Sequence, residues 1–270
     1  DVDNNSFTAN ISQIIKAINK RTSAIMIPNL IGNVPDWKKI FKIAKKYKLK
    51  VIEDAAQSFC GKYKKKYLGT FGDVGGYSFY GNKTITTGEG GIAVCKEKKY
   101  LNKIKKLKNY GRLTKGTYKH NEIGYNFKFN DVAASIGISQ LKKLKKILKK
   151  KKYIDNFYRK NLKHIDQIQF TKSIKGSEPI YWFTTIQTEA KNNLKLFLKK
   201  KNIETRDFFF PMHMQKCFIG KKDVYYGKSK YKNSINSYNK GLCLPSSATL
   251  SLAQLKYIVK SIKIFYEFRN

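Results

Sequence analysis

The chain has 270 residues, and 56 Lys and Arg against 18 Asp and Glu give a formal net charge of +38. Only Arg21, Arg112, Arg159, Arg206 and Arg269 are arginines, so 51 of the 56 basic residues are lysines. With 41% hydrophobic and 14% aromatic residues most of the chain can bury a core, which excludes general disorder, and no apolar run approaches the roughly 18–20 residues of a membrane span.

In chain order, ISQIIKAINK has apolar residues at helical spacing and leads into the short apolar run AIMIP, which predicts a helix feeding a buried strand. PDWKKIFKIAKKYK repeats the pattern, with Pro near its start and Trp37, Ile40, Phe41 and Ala44 on one face, before the strand LKVIED. Two helix-then-strand units predict a parallel sheet with helices packed on its faces. From Ala55 to Gly91 the chain turns rich in Gly, Ser, Thr and aromatics, with strand-like VGGYSFY and GIAVC. Helix resumes near Lys96 and, after a loop over 110–130, from Asp131 to about His164. YWFTTIQT then reads as a strand, NNLKLFLKKK as a helix, and SLAQLKYIVKSIKIFYEF as an amphipathic helix, so a smaller α/β unit is expected. Length alone suggests about two units; the division falls as 1–145 and 146–270, linked by the long helix over about 131–164.

A charge this basic invites a nucleic-acid reading through phosphate neutralisation. The lysines, however, lie on the solvent side of apolar periodicities in KKIFKIAKKYKLK, KKLKKILKKKK and LKLFLKKK, and Arg, the better phosphate reader, is scarce. A lysine-filled surface that helps draw in anionic substrates is therefore expected, with neither nucleic acid nor membrane as partner. Cys60, Cys95, Cys217 and Cys243 stand tens of residues apart without C-x-x-C pairs, so no metal site is expected and they read as buried thiols of a reducing cytoplasm.

Chemistry concentrates in two places. VIED ends in Glu53 and Asp54, and in parallel sheets ligands bind beyond the carboxyl ends of strands; an acid there is also an ordinary cap or loop residue. SFYGNKTITTGEGG is more specific: Lys83 lies between a strand and a turn whose Gly88, Gly90 and Gly91 permit close approach of a ligand.

EDAAQS, then SFYGNKTITTGEGG, then GYNFKFNDVAASIGISQL resemble the DegT/StrS nucleotide-sugar aminotransferases, pyridoxal-phosphate (PLP) enzymes of the aspartate-aminotransferase fold, and the resemblance spans essentially the whole chain. It implies a mainly parallel sheet sandwiched by helices plus a smaller C-terminal α/β domain. IETRDFFFPMH and YNKGLCLPSS are most similar to the branch that aminates C4 of a GDP-linked 4-keto-6-deoxy sugar for surface polysaccharide or O-antigen. The resemblance implies that Lys83 is the Schiff-base lysine and that Asp54 pairs with the pyridine nitrogen. It further implies that Gln57 contacts the ring, that Ser78 binds the phosphate, and that Asn126 reaches the phosphate of a partner subunit in a homodimer. Arg206 and His213 match a segment near the sugar nucleotide, and glutamate is the implied amino donor. Ser78 also reads as sheet packing, Asn126 as a turn residue, and Arg206 and His213 as structural members of an aromatic loop. Thr86 and Glu89 are expected to shape the lysine turn, and Cys60 to pack.

Three departures stand out: Asn29, Leu30, Ile31 and Gly32 where the family often has His-Leu-Tyr-Gly, Asn109-Tyr110-Gly111 where it often has Asn-His-Gly, and Lys128 where Arg is common. They put substrate contacts in question, not the lysine chemistry; the sugar dehydratases of the family replace the lysine with His, against which Lys83 speaks. Family members are longer, so the chain reads as an N-terminally truncated piece expected to bind cofactor poorly by itself. The alternatives are amination of a UDP-4-keto-6-deoxy-N-acetylhexosamine, or a non-catalytic basic binding protein that kept the fold.

Overall fold

Asn10 starts the first helix by accepting from the backbone N–H groups of Ser12 and Gln13. In the computed structural model, which describes residues 1–112, 116, 118–120, 122–220 and 231–267, this helix, α1 (Ile11–Ala17), leads into β1 (Ala24–Pro28). Asp36 caps α2 (Trp37–Lys46) on the N–H of Lys39, and α2 leads into β2 (Lys50–Asp54). β1 and β2 pair in parallel, Ile27 opposite Glu53 and Pro28 opposite Asp54. Ile25, Ile27 and Val51 are buried with Trp37, Ile40, Ile43 and Ala44 of α2. Ile43 takes the central place that the apolar pattern gave to Phe41, which is only partly buried at the rim of that core.

A tight hairpin, β3 (Lys62–Tyr63) and β4 (Lys66–Tyr67), is followed by β5 (Val74–Ser78), which joins β2 in parallel, and β6 (Gly91–Cys95), which joins β5 antiparallel. The first sheet therefore runs β1-β2-β5-β6. Its exposed positions Met26 and Ile52 share a face opposite the α2 core, so among the described residues helices cover this part of the sheet on one side. α3 (Lys98–Leu107) follows, and then α4 (Asp131–Leu162), capped by Asn130 on the N–H of Ala133.

β7 (Gln169–Phe170), β8 (Ser177–Glu178), β9 (Thr185–Gln187), α5 (Lys191–Lys200), β10 (Arg206–Asp207), α6 (Lys232–Lys240), β11 (Gly241–Cys243) and α7 (Leu252–Glu267) complete the described chain. β8 adds to the β3-β4 hairpin, while the rest form an antiparallel sheet in the order β10-β11-β9-β7. A second core joins Ile154, Tyr158 and Leu162 of α4 to Leu194 of α5, Ile186 of β9 and Ile262 of α7.

The strand expected over 181–188 is regular only at Thr185–Gln187. The preceding residues leave the ladder because their backbone bonds elsewhere: the N–H of Trp182 donates to the carbonyl of Ile31, 2.8 Å away. All four cysteines are free thiols, but only Cys243 is buried as expected; Cys60 and Cys95 are partly buried, and Cys217 is exposed in the loop after the Met212–Met214 turn. Among the described residues no helix is long and apolar enough to cross a membrane, and no cluster of His, Cys, Asp and Glu could hold a metal ion. The last residues of the expected C-terminal helix, beyond Glu267, lie outside the described residues.

Candidate active site

Successive strand residues point to opposite faces of a sheet, and this parity separates the two carboxylates at the end of β2. Glu53 falls on the covered face with Ile27 and is fully buried. Its Oε1 accepts from Asn29 Nδ2 at 2.8 Å, and its Oε2 accepts from the backbone N–H groups of Phe71 at 2.7 Å and Gly72 at 3.4 Å. Glu53 is a structural stitch between β1, β2 and the turn before β5. Asp54 falls on the other face, in register with Gly76 of β5 and therefore on the same side as Ser78. Its Oδ1 accepts from the N–H of Ala56 at 2.9 Å, and its Oδ2 has no partner among the described residues.

Just beyond β2, the Gln57 side chain accepts from the N–H of Ile31 at 2.7 Å. That bond helps hold Ile31 in a left-handed conformation, φ 54°, unusual for a β-branched residue. The Gln57 amide N–H₂ has no partner among the described residues. The Ser78 hydroxyl accepts from the N–H of Tyr80 at 3.2 Å and keeps its own proton to donate.

Lys83 opens a tightly bonded loop. Phe79 N–H donates to Gly90 O and Thr87 N–H to Phe79 O, both at 2.9 Å, while the Thr86 hydroxyl donates to Phe79 O at 3.1 Å. Gly90 adopts φ 134°, and a side chain there would run into the ring of Phe129, so the glycine is required. Thr86 thus shapes the turn as expected, whereas Glu89 contributes only its backbone carbonyl, which accepts from Thr87. The half-buried Lys83 amine makes no ion pair among the described residues; it lies 3.8 Å from the ring centroid of Trp182. Burial pushes its pKa below the ordinary lysine value, with Asp54 acting to raise it and Arg206 to lower it. The amine is thereby closer to the neutral form that a nucleophile or base needs.

Arg206, opening β10, joins this group: its guanidinium lies 5.4 Å from the Trp182 ring, 5.6 Å from Phe183 and 5.5 Å from Phe209. His213 instead stacks on Tyr231 at 4.5 Å, and burial lowers its pKa. Asn126 is exposed, and its backbone bridges Asn109 rather than joining Lys83. Lys128 lies 4.9 Å from the ring of Tyr110. Asp54 and Arg206 thus both act on the Lys83 amine, Ser78 shares the sheet face of Asp54, and Gln57 is tied to Trp182 through Ile31, whereas Asn126 bridges Asn109 and His213 stacks on Tyr231. Sequence reasoning missed Trp182; one of only two tryptophans, in the aromatic run YWF, it was hidden inside an expected strand.

Behind Trp182, the Lys151 amine of α4 donates to the carbonyls of Trp182 at 2.9 Å and Ser246 at 3.2 Å. Burial lowers its pKa to about 8 from 10.5. The unfolded chain therefore binds more protons between these values, so this residue's contribution to stability rises with pH from about 8 to about 10.5 and is flat below. Relative to Lys151→Met, the unsubstituted chain should gain up to about 3 kcal/mol across that window, read as urea midpoints at pH 7 and pH 10.

The donor set suits pyridoxal phosphate: a free carboxylate oxygen for a pyridinium N–H, a hydroxyl for a phosphate, an amide for the ring oxygen and a lysine amine for the aldehyde. Residues 1–263 match the DegT/DnrJ/EryC1/StrS aminotransferase family, and the chain belongs to it. Members of this family are PLP-dependent sugar aminotransferases. Among relatives, the chain is 37% identical over 269 residues to a GDP-perosamine synthase of Escherichia coli O157:H7, covering 98% of this chain and 72% of that protein. It is 33% identical over 269 residues to a dTDP-4-amino-4,6-dideoxy-D-glucose transaminase of Shigella dysenteriae, covering 97% and 72%. A DegT DnrJ EryC1 StrS aminotransferase from Brucella abortus superposes with a TM-score of 0.89 at 26% identity, covering 98% of this chain and 72% of that one.

Proposed function

We propose that this sugar aminotransferase moves the amino group of glutamate to C4 of a GDP-linked 4-keto-6-deoxy sugar, releasing 2-oxoglutarate. The observation that supports it most is Lys83, a half-buried amine with no ion pair among the described residues, placed within electrostatic reach of Asp54. When bound, pyridoxal phosphate supplies the electron sink and carries the amino group between the two half-reactions. Asp54 holds the proton at the pyridine nitrogen. Lys83 would hold the aldehyde at rest and, once the donor's amine has displaced it, would be the free amine that takes a proton from the donor's α-carbon in the first half and delivers one to C4 of the sugar in the second. Gln57 orients the ring, and Ser78 donates its hydroxyl proton to the phosphate.

Arg206 is assigned to the anionic part of the sugar nucleotide, and His213, which stacks on Tyr231, to the same ligand. Asn126 is assigned to the phosphate of a second copy, which makes the enzyme a homodimer with shared sites. Its surroundings suit that role, since Tyr125, Phe127, Val132 and Leu141 are all exposed. The division into a cofactor-bearing unit, 1–145, and a smaller unit, 146–270, belongs to the same proposal: the buried residues of the two larger apolar cores fall one set in each unit, while a third, smaller cluster of Phe7, Ile31, Phe208 and Cys243 joins the units. The amino sugar would serve surface-polysaccharide or O-antigen assembly in the cytoplasm.

The test is product analysis with glutamate and either GDP-4-keto-6-deoxyhexose or UDP-4-keto-6-deoxy-N-acetylhexosamine, using the protein expressed from its complete reading frame. The GDP sugar should be aminated with stoichiometric 2-oxoglutarate. Amination of the UDP sugar alone would reassign the substrate, and amination of neither would overturn the sugar assignment in favour of a binding protein.

A further inference from the structure

Trp182 is tied down from more directions than packing requires. Its side chain is buried, and its indole N–H donates to the carbonyl of Asn82, the residue before Lys83, at 2.6 Å. Its own N–H donates to Ile31 O at 2.8 Å, and its carbonyl accepts from Lys151 at 2.9 Å. Ile31 in turn donates to Gln57. Trp182 therefore connects the lysine loop through its indole N–H and the Gln57 turn and α4 through its backbone, while its ring faces Arg206 of β10. With the ring held by burial and by the indole bond to Asn82, the ammonium or amine of Lys83 rests on its face rather than against a carboxylate. A flexible lysine stem otherwise samples many rotamers, and a cation or polar N–H group is attracted to an indole face.

We infer that Trp182 is a positioning residue for Lys83: its indole grips the peptide before the lysine through Asn82 and supplies the surface that holds the Lys83 amine at one place, within electrostatic reach of Asp54 and Arg206. The inference rests on the assignment of Lys83 as the residue that carries the cofactor. It predicts that the preference of an aldehyde for Lys83, over the other lysines, depends on the ring.

The experiment treats the protein, from its complete reading frame, with substoichiometric pyridoxal phosphate, reduces with borohydride and maps the pyridoxyl groups by peptide mass spectrometry. In Trp182→Leu the share on Lys83 should fall about tenfold or more, with the ring face and the indole bond both lost. In Trp182→Phe, which keeps a ring but not the N–H, it should recover to within about threefold of the parent. Trp37→Phe, a change in the distant α2 core, should leave the share unmoved, which separates positioning from general loosening. Equal Lys83 shares in the parent and both Trp182 variants would overturn the inference while leaving Lys83's own role intact. A parent that shows no preference for Lys83 would overturn the lysine assignment and the inference with it. Should Trp182→Leu not fold, emission decides: modification of Lys83 in the parent should quench the part of the fluorescence that Trp182→Phe lacks, and unchanged emission at full modification would contradict the contact.

Discussion

Replacing Lys83 with Ala should reduce sugar amination by about 10³-fold or more, the scale of losing both the nucleophile and the acid–base group of one reaction. Lys83→Arg should be equally inactive although it keeps the charge, because a guanidinium does not release a proton near neutral pH. Folding should not suffer: the amine is half-buried without an ion pair among the described residues, and its burial already disfavours the ammonium. The checking measurement is initial-rate product formation beside a thermal melt of each variant. Loss of activity together with a large drop in melting temperature would mean that the lysine holds the fold rather than performs the chemistry.

The neighbouring carboxylates should behave in opposite ways. Glu53→Ala strips acceptors from Asn29 and from the N–H groups of Phe71 and Gly72, all around a fully buried side chain. Unsatisfied buried donors cost roughly 1–3 kcal/mol each, so a loss of about 3 kcal/mol or more is expected, or about 6–12 °C in melting temperature. Asp54→Ala gives up one bond, to Ala56, and should cost about 1 kcal/mol while removing most of the activity. Paired melts and rates of the two variants check this. Equal destabilisation would contradict the division of roles between the faces of β2.

That division shows where sequence reading stops. Both acids were legible at the end of VIED, but which one faces the site depends on the pairing of β2 with β1 and β5, a long-range register that adjacent letters do not encode. β1, β2 and α2 were legible because one face of each buries a regular apolar set. The β3-β4 hairpin was not, since its letters, KYKKKY, lack a turn signal and its third strand, β8, comes from 177–178. α6 was missed because KNSINSYNK has no apolar stripe, and β11 because three residues, GLC, are too short a run to separate from a loop. Lys83 was found through a motif, not through its surroundings. The indole beneath it lies about a hundred residues away in the chain, and only the fold brings the two together.

The most direct test of the assignment is the modification map of the unsubstituted protein, expressed from its complete reading frame, treated with pyridoxal phosphate and borohydride and digested for mass spectrometry. The account predicts a pyridoxyl group on Lys83 at near one per chain before other lysines react appreciably. An unmodified Lys83, with pyridoxyl groups scattered over the surface lysines, would contradict it.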